Sequence, residues 1–192
     1  MKQDLIRRNI NDSITVKQEL LQNDAIMVDI TKVADLIVET FNNGNKLLLC
    51  GNGGSAADAQ HLAAEFSGRY YLNRPPLHAE ALHTDTSFMT AVSNDFSFDE
   101  VYARLIQGIG KQGDILIGMS TSGNSKNVIN ALEEAKKKNI ITIGLTGKVN
   151  GNMKPYCDYL INIPSDDTPR IQECHLMLGH AICELVEKEL FS

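Results

Sequence analysis

Five short apolar runs, most of them followed by a stretch of helical length, limit what this chain can fold into more than any other feature. They fall at 47–50, 78–82, 114–118, 140–145 and 159–163. Runs this short, without polar alternation, read as strands covered on both faces, which is the situation of a parallel sheet. The intervening patterns predict helices over 56–66, 86–93, 98–109 and 126–138, with a long closing helix over 168–191. Two further helices, over 3–22 and 25–41, precede the first strand. Alternation of this kind predicts an α/β fold, a doubly wound parallel sheet flanked by helices. The two N-terminal helices exceed what such a core needs, and their apolar positions suggest packing against another subunit. With no linker or repeat, residues 1–192 are expected to form a single domain.

Charge and cysteine usage narrow the function classes. The net charge is −6, and the only basic cluster is Lys136–Lys138 at a predicted helix end, which argues against a nucleic-acid surface. Those lysines are expected to complement the helix C-terminus. No run reaches membrane-spanning length and the first residues are too polar for a signal peptide, so the expectation is a cytoplasmic protein without membrane contact. Cys50, Cys157, Cys174 and Cys183 show no CxxC spacing and read as reduced, buried thiols.

The chemistry gathers in three places. After the first run, Gly51-Asn52-Gly53-Gly54 turns the chain into a helix that Ser55 is placed to cap. Strand, glycine turn and helix N-terminus together form a cradle for an anion. Neither the GK[ST] of a nucleotide P-loop nor the GxGxxG spacing is present. On the same helix His61 and Glu65 stand four residues apart, hence on one face and about 6 Å apart along the axis. The second place is Ser120-Thr121-Ser122-Gly123-Asn124-Ser125, again between a strand and a helix. The third is the closing helix, where Gln172, His175 and His180 interrupt an apolar stripe. Taken singly, these read as a tight connection, a solvated pair, a hydroxyl-capped helix and satisfied buried histidines. Together, two anion loops at the carboxyl edge of one sheet favour a phosphorylated small molecule.

STSGNS in this β/α setting resembles the sugar isomerase (SIS) family of phosphosugar-binding domains. The likeness runs over nearly the whole chain, through GNGGSAADAQHLAAEFSGRY, AVSNDFSFDEVYAR, STSGNS, LTG and DTPRIQECHLMLGH. It is to the branch acting on seven-carbon sugar phosphates. The resemblance implies a flavodoxin-like sheet and a homotetramer with sites at subunit interfaces. It implies isomerisation of sedoheptulose 7-phosphate to D-glycero-D-manno-heptose 7-phosphate, the first step toward nucleotide-activated heptose for lipopolysaccharide or other surface glycans. Carried over by motif, substrate contacts fall on Asn52, Gly53, Gly54, Ser55, Glu65, Asn94, Asp95, Ser120, Thr121, Ser122, Ser125 and Gln172. One zinc ion per site is implied on His61, Glu65, Gln172 and His180, with Glu65 and His180 as the catalytic pair. Pro169 replaces an acid that some members place there, leaving Asp166 or Asp167 as a substitute, and His83 has no assigned role. Non-enzymatic relatives that bind the bacterial replication initiator resemble the chain too. Their pattern lacks the acid and the histidine that this chain keeps at Glu65 and His180, which favours the enzyme.

Ketose–aldose isomerisation through an enediol needs a base for a carbon-bound proton, a second group for the oxygen protons, and charge stabilisation on oxygen. A carboxylate, an imidazole and a metal meet those needs. Gln172 and His180 are eight residues apart, about 12 Å of rise on a straight helix. That separation leads to the expectation that Glu65 and His180 of one site come from different subunits.

Overall fold

The computed structural model describes residues 1–192. In chain order the elements are α1 (Lys2–Leu21), α2 (Asp24–Asn42), β1 (Leu47–Cys50), α3 (Gly54–Ser67), β2 (Ala79–Ala81), α4 (Thr86–Asp95) and α5 (Val101–Ile109). They continue as β3 (Ile115–Met119), α6 (Lys126–Lys137), β4 (Ile141–Thr146), β5 (Tyr159–Asn162) and α7 (Thr168–Phe191), with 3-10 turns at Phe98–Glu100 and Gly151–Tyr156. The expected strand over 78–82 shortens to three residues, because it is an edge strand in which only Ala79 and Ala81 turn inward while Glu80 is exposed. The expected helix over 98–109 begins with the first of the 3-10 turns rather than as α-helix.

The five strands lie parallel in the order β2-β1-β3-β4-β5. That is the flavodoxin-like order, and its direction reverses between β1 and β3. Side chains alternate across the sheet, as strand periodicity requires. Leu47, Leu49, Ile115, Ile117, Ile143 and Leu145 pack with α2, α3 and α7 on one face. Leu48, Cys50 and Leu116 pack with α4, α5 and α6 on the other. All the β1 and β3 residues are buried, which is why these strands read as unbroken apolar runs.

α3 and α7 lie side by side in the same direction and in step. Gly54 meets Gln172, Leu62 meets Gly179, and His61 meets His180. Gly179 makes the approach possible, since a Cβ there would stand 2.5 Å from Leu62 Cδ1. Lys136 and Lys137 lie in the last turn of α6 as expected, and Lys136 also pairs with Asp158. Lys138 departs from expectation: its Nζ donates to the carbonyls of Ile106 (3.1 Å) and Gln107 (2.6 Å), so it caps the end of α5 rather than its own helix.

Candidate active site

Because β1 and β3 flank the reversal point of the sheet, their following loops face one crevice. A cavity of about 350 Å³ opens there, lined by Asn52, Gly53, Gly54 and Ser55 from the glycine turn, Ser120, Thr121 and Ser125 from the hydroxyl loop, and Thr168 and Gln172 from α7. The loop is internally bonded: Ser120 Oγ lies 2.9 Å from Ser125 Oγ, and Ser125 N–H donates to Ser120 Oγ at 3.3 Å. These hydroxyls and the start of α6 present donors suited to a phosphate. Ser122 belongs to the same loop but does not line the cavity; its Oγ accepts from Asn124 N–H at 3.2 Å.

Two residues that motif reading passes over hold the crevice in shape. Asn127, buried at the start of α6, exchanges two amide hydrogen bonds with Asn52, at 2.8 and 2.9 Å, and so ties the glycine turn to the hydroxyl loop. Tyr102 donates its hydroxyl to the Gly51 carbonyl at 2.6 Å. An asparagine two residues past STSGNS was the available signal for the first; nothing local marks the second.

Two turns further along the α3–α7 pair, His61, Glu65 and His180 converge. His61 Nε2 stands 2.9 Å from His180 Nε2 and 3.1 Å from Glu65 Oε1, and one ligand atom from each residue lies within 4.8 Å of the others. This overturns the expectation that Glu65 and His180 come from different chains. Helices in step bring residue 61 to residue 180 within one chain, a proximity that rise along α7 alone does not reveal. Two ring nitrogens and a carboxylate oxygen suit a zinc ion. With metal–ligand bonds of about 2.0–2.2 Å, tetrahedral donors sit roughly 3.3 Å apart, within half an ångström of the two short separations. Gln172 lines the cavity, with its amide against Gly54: a Cβ at that glycine would meet Gln172 Nε2 and Oε1 at 2.6 Å.

The remaining candidates fall outside both clusters. Asn94 and Asp95 are exposed at the end of α4, bonded to each other at 2.9 Å, and do not line the cavity. Asp166 and Asp167 are exposed before α7. His83 is half-buried with Nδ1 unpartnered, and burial lowers its imidazole below the ordinary range. Asp58, one turn before His61, also has a buried unpartnered oxygen; burial pushes its carboxyl up to about 6 against a smaller opposing pull from His61. All four cysteines are free, and burial pushes Cys50, Cys157 and Cys183 up to about 12, so none supplies a ready thiolate. No helix is long and apolar enough to cross a membrane.

A flavodoxin-like sheet with a hydroxyl-rich anion loop at its reversal point defines a class of phosphosugar-binding α/β domains. The chain belongs to the SIS domain family, whose sequence profile matches residues 12–147. It is 51% identical to the phosphoheptose isomerase of Aneurinibacillus thermoaerophilus, over 98% of this chain and 95% of that protein. It is 50% identical to phosphoheptose isomerase 2 of Campylobacter jejuni, over 97% and 92%. Among solved structures, the phosphoheptose isomerase of Neisseria gonorrhoeae superposes with a TM-score of 0.92 at 40% identity, covering 98% of this chain and all of that one. The phosphoheptose isomerase of Francisella tularensis gives 0.94 at 34% identity, covering 98% and 99%.

Proposed function

We propose that this protein is an aldose–ketose isomerase that converts sedoheptulose 7-phosphate to D-glycero-D-manno-heptose 7-phosphate, on a single SIS domain spanning residues 1–192. Beyond the likeness to named isomerases, one observation carries the reading. The anion cavity and the His61–Glu65–His180 cluster are set apart along the same helix pair. Gly54 to His61 is about 10 Å of helical rise. A seven-carbon chain of ~1.5 Å bonds, zigzagged and ending in a phosphate ester, reaches on the order of 10 Å from phosphorus to C1. A heptose phosphate held by its phosphate in the cavity therefore brings C1 and C2 to the cluster.

The chemistry follows from the side chains there. The Glu65 carboxylate takes the C1 hydrogen of the ketose as a proton and returns it to C2, while the His180 imidazole moves a proton from the C1 hydroxyl to the C2 oxygen. The C2 carbonyl becomes a hydroxyl and C1 an aldehyde, with no net gain or loss of atoms. One zinc ion per site is assigned to His61, Glu65 and His180; when bound, it supplies Lewis-acid polarisation of the carbonyl. Gln172, which lines the cavity, is the fourth metal ligand or a substrate contact in this reading.

Further copies of the chain complete the assembly in this reading. Leu5, Ile6, Ile10 and Ile14 on α1 are 46–58% exposed, and Met177 and Leu185 on α7 are 37% and 41% exposed. Exposed apolar side chains of this kind suit the interfaces of a homotetramer. Asn94 and Asp95 are exposed and outside the cavity of their own chain, and in this reading they contact substrate in a neighbour's site.

Purified protein given sedoheptulose 7-phosphate should form the aldose, read by a coupled assay. No turnover, together with saturable binding of the replication initiator, would replace this reading with the non-enzymatic one.

A further inference from the structure

After α3 the chain folds back over residues 68–76, around a buried ion pair that the chemistry above does not use. The side chains of Arg74 and Glu187 are each 2% exposed, and Arg74 Nε donates to Glu187 Oε1 at 2.9 Å. Glu187 also accepts the backbone N–H groups of Tyr70, Tyr71 and Leu72, at 3.1, 2.7 and 2.8 Å. Arg74 also donates to the end of α3, Nη1 to the Phe66 carbonyl at 2.8 Å and Nη2 to the Glu65 carbonyl at 2.9 Å, and Nη1 reaches the Pro75 carbonyl at 3.0 Å as well. Burial would raise the Glu187 carboxyl, but these N–H groups and the guanidinium hold it below the ordinary range. A buried charge pair of this kind tolerates only the arrangement in which every partner is present.

That arrangement reaches two members of the cluster. Arg74 holds the backbone of Glu65 directly. Tyr70, fixed by its own N–H, lays its ring on the His180 imidazole, with centroids 5.6 Å apart and planes 26° from parallel. The His61 ring stands on His180 from another direction, at 5.0 Å and 56°. Glu187 follows His180 by seven residues, two helical turns, so the anchor and the imidazole it serves share one face of α7.

We propose that Tyr70, Arg74 and Glu187 are a positioning unit that sets the His180 ring and the Glu65 end of α3, and thereby the geometry of the metal-holding and proton-moving cluster. The inference rests on the isomerase reading. Tyr70 acts through His180 by its ring face, and Arg74 acts through the Glu65 backbone. Neither lines the substrate cavity.

The test compares Tyr70→Leu, Tyr70→Phe and Arg74→Lys with wild type, each checked by thermal melting to be folded at the assay temperature. Partners that orient metal ligands are typically worth about 10–100-fold, so Tyr70→Leu should weaken zinc binding by about that factor in competition with a chromogenic chelator. Its kcat should fall comparably while KM stays within about twofold, since the cavity is untouched. Tyr70→Phe keeps the ring and should restore both. Arg74→Lys keeps the charge against Glu187 but not the fork onto Glu65 and Phe66, and kcat should fall about tenfold. Wild-type zinc affinity and kcat in Tyr70→Leu overturn the proposal, as do equal losses in Tyr70→Leu and Tyr70→Phe. If Tyr70→Leu does not fold, wild-type kcat in Arg74→Lys overturns it. A wild-type protein that binds zinc but does not isomerise fails the isomerase reading instead, and the zinc affinity of Tyr70→Leu still decides this inference.

Discussion

Gly54→Ala separates the needs of the site from those of the fold. Gly54 is the first residue of α3, is exposed, and does not adopt positive φ. A methyl group there lands 2.6 Å from both Gln172 Nε2 and Oε1 and 2.8 Å from Cδ. Comfortable non-bonded contact lies near 3.5–4.0 Å, so the amide must retreat by about 1 Å. It is the free end of a flexible side chain, so no backbone has to move. The helix gains from the exchange, by at most about 1 kcal/mol and less in a first turn. The melting temperature should therefore hold or rise slightly. Activity should not hold: a displacement of about 1 Å at a positioned group can cost on the order of 10²-fold, about 2.7 kcal/mol of barrier. The assay is kcat/KM with sedoheptulose 7-phosphate beside thermal unfolding, for Gly54→Ala, Gln172→Ala and the double variant. If the loss runs through Gln172, the double variant is no worse than Gln172→Ala alone. Gly54→Ala activity within twofold of wild type refutes the argument. A full additional loss in the double variant means that the methyl group obstructs substrate directly.

Glu65→Gln removes the proposed base without changing size, so steady-state kinetics should show kcat lower by about 10²–10⁴, roughly 3–5 kcal/mol, with little change in KM. Stripping metal with a chelator should abolish turnover and zinc should restore it, while His61→Ala should lower the zinc content measured by elemental analysis. Ser125→Ala should weaken binding of phosphorylated sugar more than of free sugar in calorimetric titration; equal losses would make the loop purely structural. His175 is fully buried, and burial drops its imidazole to about 4 despite an opposing bond to the Thr146 carbonyl. Below the unfolded value near 6.5 the unfolded chain takes up a proton that the folded chain refuses. Stability should thus fall as pH drops from about 6.5 toward 4, by about 2 kcal/mol at pH 5. His175→Gln keeps an amide donor without a titrating ring, so its denaturation midpoints should be flatter between pH 7 and 5; parallel curves for the two proteins would refute this.

Local pattern carried much of this protein. The strands of 47–50 and 115–119 were legible because residues buried on both faces of a parallel sheet leave an unbroken apolar run. The glycine turn and STSGNS were legible because backbone geometry and hydroxyl chemistry at a strand-to-helix turn are written in consecutive residues. His61 and Glu65 were legible as a pair because helical periodicity is a property of one segment. What joins one segment to another was not. Nothing in α3 or α7 alone states that they run in step, so the meeting of His61 with His180 was open, and separation along one helix pointed to two chains instead of one. The amide pair of Asn52 and Asn127 and the anchoring of residues 70–74 on Glu187 were equally out of reach. The sequence by itself determined the order of strands and helices, the two loops that turn from strand into helix and the spacing of His61 and Glu65, since each depends on neighbours in the chain. Only the tertiary structure decided which donors share a point in space, because that depends on helix packing fixed by contacts such as Gly179 against Leu62, more than a hundred residues apart.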